Sequence, residues 1–337
     1  MADEEREGAQ MEGQEPGPAG AGARRGRVRH GLARGRPWPR RLRRASLGLA
    51  LVGAGGWTWL ARDPTATIVA RRGRLHAIVE APSFAVGAGQ IDQGVRLRST
   101  SGLEVELSLR RPDDGGTRPR PAVLLLGGLE TGRRAVGLIP DGRGVVIAAI
   151  SYPCAVVKIR GPSDVLAARR AILDTPAAVM LAMDYLCELP FVDRSRVELV
   201  GVSLGAPFAC VAGGLDSRFA RVWVVHGGGG ALGMFDHGLK KEIGFAPARR
   251  LAAVAVWCLA RGPTMSPEHW VGRVAPRPFV QVNAQDDARI PRACVDLLYE
   301  SAGDPKERIW LPGGHVDGGD QEQVRALCEL LLERIAP

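Results

Sequence analysis

The stretch Val197-Glu-Leu-Val-Gly-Val-Ser-Leu-Gly205 decides how the rest of the chain is read. Val197 to Val200 is a short apolar run of strand type, and Gly201-Val-Ser203-Leu-Gly205 fits G-x-S-x-G, a serine on a sharp turn between strand and helix. Glycines on both flanks remove side chains that would collide where strand packs on helix. The strained turn lifts the serine hydroxyl clear of the sheet. The helix that follows, read over Leu204 to Ala212, aims its N-terminal N–H groups at negative charge developing there. Taken alone the pattern is weak, since three fixed residues in five recur by chance, and its bland reading is an ordinary turn serine. The elements around it carry the weight.

Upstream, Ala122-Val-Leu-Leu-Leu126 and Gly144-Val-Val-Ile-Ala-Ala-Ile150 are continuous apolar runs, the pattern of strands covered on both faces. The first ends in Gly127-Gly128-Leu129-Glu130-Thr131-Gly132 and the second in Ser151-Tyr152-Pro153. Asp164 to Leu189 has helical periodicity (Val165, Leu166, Ala168, Val179, Met183, Leu186), with Pro176 expected to divide or kink it. Earlier still, the chain turns strand-like from about Ile68. Leu75–Val79, Val95–Ser99 and Leu103–Leu109 alternate with period two, and Ser101-Gly102 turns a hairpin.

Downstream, Val222–Val225, Phe279–Val282 and Arg308–Leu311 read as strands, Pro247–Arg261 as a helix, and Gln321–Ile335 as a closing helix with Val324, Leu327, Leu331 and Leu332 on one face. Strands alternating with helices predict an α/β domain, spanning 68–337, with a mostly parallel central sheet flanked by helices. Residues 231–274 form a cap-like insertion in it. The insertion's apolar helix is read as roofing a pocket, facing a membrane, or simply packing on the sheet.

The net charge of +9 suggests a nucleic-acid binder until it is located. Ten arginines and no acidic residue lie between Arg24 and Arg44; the remaining 35 basic and 36 acidic residues nearly cancel. The body of the chain therefore carries no charge argument for nucleic acid. Residues 1–44 combine a Gly/Ala/Glu/Gln-rich start with this arginine arm and are predicted to be disordered.

Ala45 to Ala61 follows, seventeen residues without a charge, containing Trp57 and Trp59. A membrane helix needs about 20 apolar residues, and 17 is near the lower limit. Arginines before the run and tryptophans at its end predict a single-pass membrane anchor with the N-terminus inside and the catalytic domain outside the cytoplasm. The arm would then meet anionic head groups. The alternative is a signal segment cleaved on secretion, for which Arg43-Arg44 is suitable. A long basic region and the lack of a small-x-small site before Arg62 speak against it. A buried core helix is the third reading, disfavoured by the basic arm.

Six dispersed cysteines form no C-x-x-C or Cys/His cluster, so neither a structural zinc site nor a disulfide framework is expected. Gly228-Gly-Gly230-Ala-Leu-Gly233 fits G-x-G-x-x-G, but the early βαβ unit and ribose-binding acid of a dinucleotide site are missing. It reads instead as a flexible strand exit at the rim of a pocket.

A serine hydroxyl needs a base to take its proton, and the base needs a fixed tautomer. Of six histidines, His30 lies in the arm, His76 on an early edge strand, and His237 and His269 in the insertion. His315, in Leu311-Pro-Gly-Gly-His315, follows the last strand, at the sheet edge that carries Ser203. His315 is the predicted base; His226, at another strand end, is the rival. Asp286 and Asp287 follow the strand before it and are the two candidate acids, giving the order Ser…Asp…His. The N–H of Leu204, the residue after the serine, is one candidate oxyanion donor. The second donor belongs on the loop Gly127-Gly128-Leu129.

From about residue 120 onward the chain resembles the α/β-hydrolase superfamily, in particular its dienelactone-hydrolase-like and small serine-esterase members. The residues that carry the resemblance are Pro190-Phe-Val-Asp-Arg-Ser-Arg196 leading into the glycine-flanked serine, Asp287-Ala-Arg-Ile-Pro291, and Gly313-Gly-His315. The family's acid commonly stands four residues before such a proline, which implies Asp287 rather than Asp286. The resemblance also implies the Leu129 N–H as second oxyanion donor, with Gly128 shaping the turn, although the loop lacks the histidine of an HGGG motif. Dienelactone hydrolases use a cysteine, so the serine points to the esterase and peptidase side.

The expected function is hydrolysis of a small-molecule carboxylic ester, or a thioester or amide, through an acyl-enzyme on Ser203, without metal or cofactor. Gly128, Glu130, His226 and Asp286 are candidates to line the pocket. A prolyl-oligopeptidase-like peptidase, an acyltransferase, and a catalytically silent membrane-anchored binding protein are the alternatives.

Overall fold

The computed structural model describes residues 56–58, 60–87, 89–116, 118–128, 131–153 and 162–336. The readings made on residues 1–44, on most of 45–61, and on Leu129, Glu130 and Cys154 lie outside the described residues. Among the described residues no helix is long and apolar enough to cross a membrane, and the other five cysteines are free.

The chain enters through helix α1 (Thr65–Arg72), not the strand expected from Ile68. Ile68 is fully buried, and Arg72 bonds to Asp184 on helix α2 (Pro162–Glu188) at 2.9 Å. An apolar residue at a helix's single inward position gives no period of its own, hence the misreading. Strands β1 (Leu75–Glu80), β2 (Phe84–Gly87), β3 (Gln90–Ser99) and β4 (Glu104–Pro112) pair antiparallel. Strands β5 (Arg120–Leu126), β6 (Val146–Ile150), β7 (Val192–Val202), β8 (Arg221–Val225), β9 (Phe279–Ala284) and β10 (Lys306–Leu311) pair parallel. The sheet runs β1-β3-β4-β6-β5-β7-β8-β9-β10, with β2 paired to β3 and β4 meeting β6 antiparallel.

The chain steps outward from β5 to β6, then returns past β5 to lay down β7. That reversal is a topological switch point, where open α/β sheets leave a crevice at their carboxyl strand ends. The β5 exit loop and the β7 elbow both lie there.

Each central strand feeds two cores, which is why its sequence is apolar without alternation. Leu124 and Leu126 of β5 face a core shared with α2 and with α3 (Gly205–Leu215). Val123 and Leu125 face Leu327, Leu331, Leu332 and Ile335 of the C-terminal helix, α8 (Gln321–Ile335). Helix α2 runs unbroken through Pro176. An internal proline forfeits one backbone bond, but the residues after it, from Ala177 to Met183, are all buried, and that packing holds the helix together. Its outer end differs from the expected apolar face, as Leu166 is 58% exposed.

The insertion after β8 holds more than the one helix expected. It contains α4 (Ala231–Gly238), α5 (Ala246–Leu259), the single turn α6 (Gly262–Met265) and 3-10 turns at Pro267–His269 and Val271–Val274. Short helices rich in Gly, Pro and Trp lack a readable period. The glycine run at its start is packed, not flexible. Gly227 is buried against Ala206 and Val224, and Gly228 and Gly229 against helix α7 (Arg292–Ser301): Gly229 donates to Cys294 O at 2.7 Å, and Gly230 to the Glu268 carboxylate at 2.9 Å. These two amides are committed to the protein itself, so the G-x-G-x-x-G match reflects close packing.

Candidate active site

Ser203 stands at the end of β7 with φ +53°, a left-handed conformation rare for a residue with a Cβ. Its neighbours impose it. The Ser203 N–H donates to Val225 O at 2.8 Å, and its carbonyl accepts from Ala206 N–H at 3.0 Å. Helix α3 then starts within one residue. The flanking glycines are required by space: a Cβ on Gly205 would fall 2.4 Å from the Leu126 carbonyl oxygen, and one on Gly201 2.5 Å from Ala209 Cβ. Backbone cannot give way there, so strand and helix approach this closely only with glycine.

The Ser203 Oγ lies 2.8 Å from His315 Nε2, and His315 Nδ1 lies 2.8 Å from Asp287 Oδ2. Both His315 and Asp287 are nearly buried, with side chains 6% and 4% exposed. The other Asp287 oxygen, Oδ1, accepts from the N–H groups of Arg289 (2.8 Å) and Ile290 (3.0 Å). Burial pushes this carboxyl's pKa up. The His226 imidazole beside it and the hydrogen bonds from His315 and the Ile290 amide together hold the group well below the ordinary carboxylate range despite that burial. Asp287 is thus ionised, keeps the His315 proton on Nδ1, and leaves the Nε2 lone pair facing the serine. Asp286 takes a different role: its N–H donates to Gly313 O at 3.0 Å, its side chain is exposed, and the loop therefore presents Asp287 to the imidazole.

His226 is not placed as the base. It follows β8, is fully buried, and sits edge-on to His315 with ring centroids 5.4 Å apart. Its Nδ1 is 3.0 Å from the donating Val316 N–H and 3.5 Å from Asp287 Oδ2. The two contacts ask for opposite things, a lone pair and a proton. The shorter bond to a fixed backbone donor decides, so Nδ1 turns its lone pair to Val316 and His226 braces the loop carrying His315, while its Nε2 is buried without a hydrogen-bond partner. Like Ser203 it has positive φ (+52°). Removing the acceptor would leave a buried donor unsatisfied, at a cost of about 1–3 kcal/mol. His226→Ala is therefore expected to lower kcat roughly tenfold with little change in KM. His226→Asn, whose side chain tolerates this conformation and offers an oxygen to Val316, should lose less. Steady-state kinetics on the two variants decides it, and equal losses would refute the acceptor role.

Two further residues hold the site together without a signal in the sequence. Tyr152, after β6, donates its hydroxyl to Gly127 O at 2.6 Å, and burial raises its pKa, keeping it a donor. Gln323, on the first turn of α8, donates to Gly314 O at 2.7 Å and accepts from Asp317 N–H at 3.3 Å, clamping the histidine loop on both sides.

Leu204, half-buried, follows the serine with helical dihedrals, so its N–H belongs to the start of α3, where backbone donors have no intrahelical partner. Gly128, on the β5 exit loop, accepts from the Thr131 hydroxyl at 2.9 Å and from Thr131 N–H at 3.2 Å. The ring nitrogens and carboxylate of His226, Asp287 and His315 all lie within 4.8 Å of one another, near enough to grip a cation. Gripping one would take His315 from Asp287, so cation binding here and a primed serine exclude each other.

The sheet order, the serine turn at the switch point and the histidine loop before the last helix settle the architecture. The chain has an α/β-hydrolase fold. Solved structures with this fold include an acetyl xylan esterase from Paenibacillus sp. R4 (16% identity, 80% of this chain and 92% of that one, TM-score 0.60). Acetyl xylan esterase 1 from Thermoanaerobacterium sp. JW/SL YS485 is also similar (14% identity, 80% and 93%, TM-score 0.56). So is a glucuronoyl esterase from Solibacter usitatus (16% identity, 79% and 91%, TM-score 0.52). No family model and no curated protein matches the sequence. The fold is shared with these structures at sequence identities of 14–16%.

Proposed function

We propose that the protein is a serine hydrolase that cleaves a carboxylic ester through an acyl-enzyme on Ser203. The observation that carries this is the continuous hydrogen-bonded chain from Ser203 Oγ through His315 to the Asp287 carboxylate. In the proposed reaction His315 Nε2 takes the hydroxyl proton as Oγ attacks the carbonyl carbon. The Asp287 carboxylate stabilises the imidazolium that forms. The N–H groups of Leu204 and Leu129 are assigned to the oxyanion of the tetrahedral intermediate, a donor pair whose loss costs about 3 kcal/mol per member. The ester C–O bond then breaks, and His315 returns its proton to the leaving alcohol. Water, deprotonated by the same imidazole, releases the acid from Ser203.

The esterase names of the neighbours support ester over amide, and acetyl esters are the first substrates to test. The test is twofold. A fluorophosphonate should label the wild-type chain, with the adduct on the peptide containing Ser203. An activated acetyl ester should be turned over while the matching anilide is not. A chain that neither takes the label nor hydrolyses the ester would be a silent binding protein; preferential anilide cleavage would make it a peptidase. We further propose that residues 45–61 tether this hydrolase to a membrane with the catalytic domain outside the cytoplasm. The support is the uncharged run, its arginine-rich leading flank and the tryptophans at its end.

A further inference from the structure

The two glycines that follow β5 have both carbonyls held by side-chain hydroxyls. Gly127 O accepts from Tyr152 at 2.6 Å, and Gly128 O from Thr131 at 2.9 Å. Gly128 O also accepts from the N–H groups of Thr131 (3.2 Å) and Gly132 (3.3 Å). Three donors saturate the two lone pairs of that oxygen and fix its direction. The Thr131 side chain reaches it only because position 127 has no side chain: a Cβ on Gly127 would fall 2.3 Å from Thr131 Oγ1. The glycine leaves the space that the threonine hydroxyl fills.

Peptide planarity says what this fixes. The C=O of one residue and the N–H of the next share a rigid plane and point opposite ways. Holding Gly128 O towards Thr131 therefore sets the direction of the amide on the far side of the same peptide unit, the amide assigned to the oxyanion in the proposed reaction. The strand end leading into this unit stands beside the nucleophile. Leu126 is paired with Gly201 across β5 and β7, and its carbonyl oxygen is the atom that a Cβ on Gly205 would strike. The other branch of Thr131 faces the base. A Cβ on Gly318, in the loop that carries His315, would meet the Thr131 methyl at 3.8 Å, an ordinary packing distance. The hydroxyl of Thr131 thus serves the loop after β5, and its methyl lies towards the histidine loop.

We propose that Thr131 is a positioning residue for the oxyanion, its hydroxyl locking the Gly128 peptide so that the amide beyond it is aimed before substrate arrives. This rests on reading the chain as a serine hydrolase. A preset donor needs no reorganisation as negative charge grows on the substrate oxygen, and that charge exists only in the transition state. The hydroxyl therefore acts on kcat and on tetrahedral adducts, with little effect on ground-state binding. A threonine that only packed the two loops together would act through its methyl and would move stability or KM instead.

The test uses the full chain, an activated acetyl ester and a trifluoromethyl ketone. Ser203 Oγ adds to the ketone and gives its proton to His315 while the carbonyl oxygen becomes an oxyanion, so the ketone's affinity reads the oxyanion site without turnover. Thr131→Val keeps the methyl and loses the hydroxyl. It is expected to lower kcat about tenfold and to weaken the ketone by the same factor, with KM within about twofold of wild type. Thr131→Ser keeps the hydroxyl and should recover most of both losses. Thr131→Ala against Thr131→Ser repeats the comparison with no methyl in either protein, and so decides the matter if thermal unfolding shows the valine variant to be misfolded. A serine variant that loses as much as valine or alanine, a loss carried by KM, or valine kinetics equal to wild type would each overturn the proposal. Wild-type turnover reports on the underlying reading separately. An inactive, unlabelled wild type ends the serine-hydrolase reading itself, whereas an active wild type beside an unaffected Thr131→Val ends only the role of Thr131.

Discussion

Replacing Ser203 by alanine is expected to lower kcat/KM for an activated ester by about 10⁵- to 10⁶-fold and to abolish fluorophosphonate labelling. Alanine has no nucleophile to offer, and the residual rate is what donors and binding alone can do for water. The fold should survive. Ser203 already has a left-handed backbone imposed by Val225 and Ala206, and alanine differs from it only by the hydroxyl. Losing the bond to His315 removes about 1 kcal/mol of stability at most. Thermal unfolding beside the kinetic assay separates loss of chemistry from loss of structure. A stable variant that kept wild-type turnover would place the nucleophile elsewhere and overturn the mechanism.

The second large effect is expected at Asp287→Asn, with kcat falling about 10⁴-fold although the side chain keeps its shape. The direction follows from how the carboxylate is held. Arg289 and Ile290 N–H groups both donate to Oδ1, so an asparagine must put its carbonyl oxygen there. Its NH₂ then replaces Oδ2, opposite His315 Nδ1 and near the lone pair of His226 Nδ1. A donor in that place forces the His315 proton onto Nε2, which then faces Ser203 and cannot accept from it.

The same substitution should change the pH dependence of stability. The folded Asp287 carboxyl is held below its unfolded value, so its contribution is present above about pH 4 and is lost as pH falls below it, where the unfolded chain takes up a proton and the folded one does not. Urea unfolding of wild type should weaken from about pH 4 downward, and the asparagine variant should weaken less over that range. Identical slopes in the two proteins would mean that Asp287 is not held ionised by its neighbours.

Much of this site was legible because its parts are local. A serine between two glycines after an apolar run and a glycine-flanked histidine before an amphipathic helix are short-range patterns with physical reasons, and Asp287 needed only its spacing to Pro291 and the family resemblance. What was not legible is what holds those parts. Tyr152 on Gly127, Gln323 on both sides of the histidine loop, and His226 under Val316 each act across long stretches of sequence, and no period or spacing marks them. His226 was weighed as a rival base because strand-end histidines look alike in sequence; only burial and the direction of its Nδ1 separate a brace from a base. In the insertion only one helix shows in the sequence, because Pro, Gly and Trp interrupt its period, and its glycine run looks flexible because glycine content does not report what presses on it.

By itself, the sequence determined the class of architecture, the serine turn with its two glycines, and the order in which nucleophile, acid and base arrive. These follow from local sterics and from apolar periodicity, which act between neighbours along the chain. The tertiary structure alone decided that Ser203, His315 and Asp287 meet at 2.8 Å contacts, that His226 braces the histidine loop, and that α5 turns its leucines outward. Those outcomes depend on which strand lies beside which, on what the loops between them must satisfy once buried, and on which face of a helix is left uncovered. Neighbours in sequence do not carry that information.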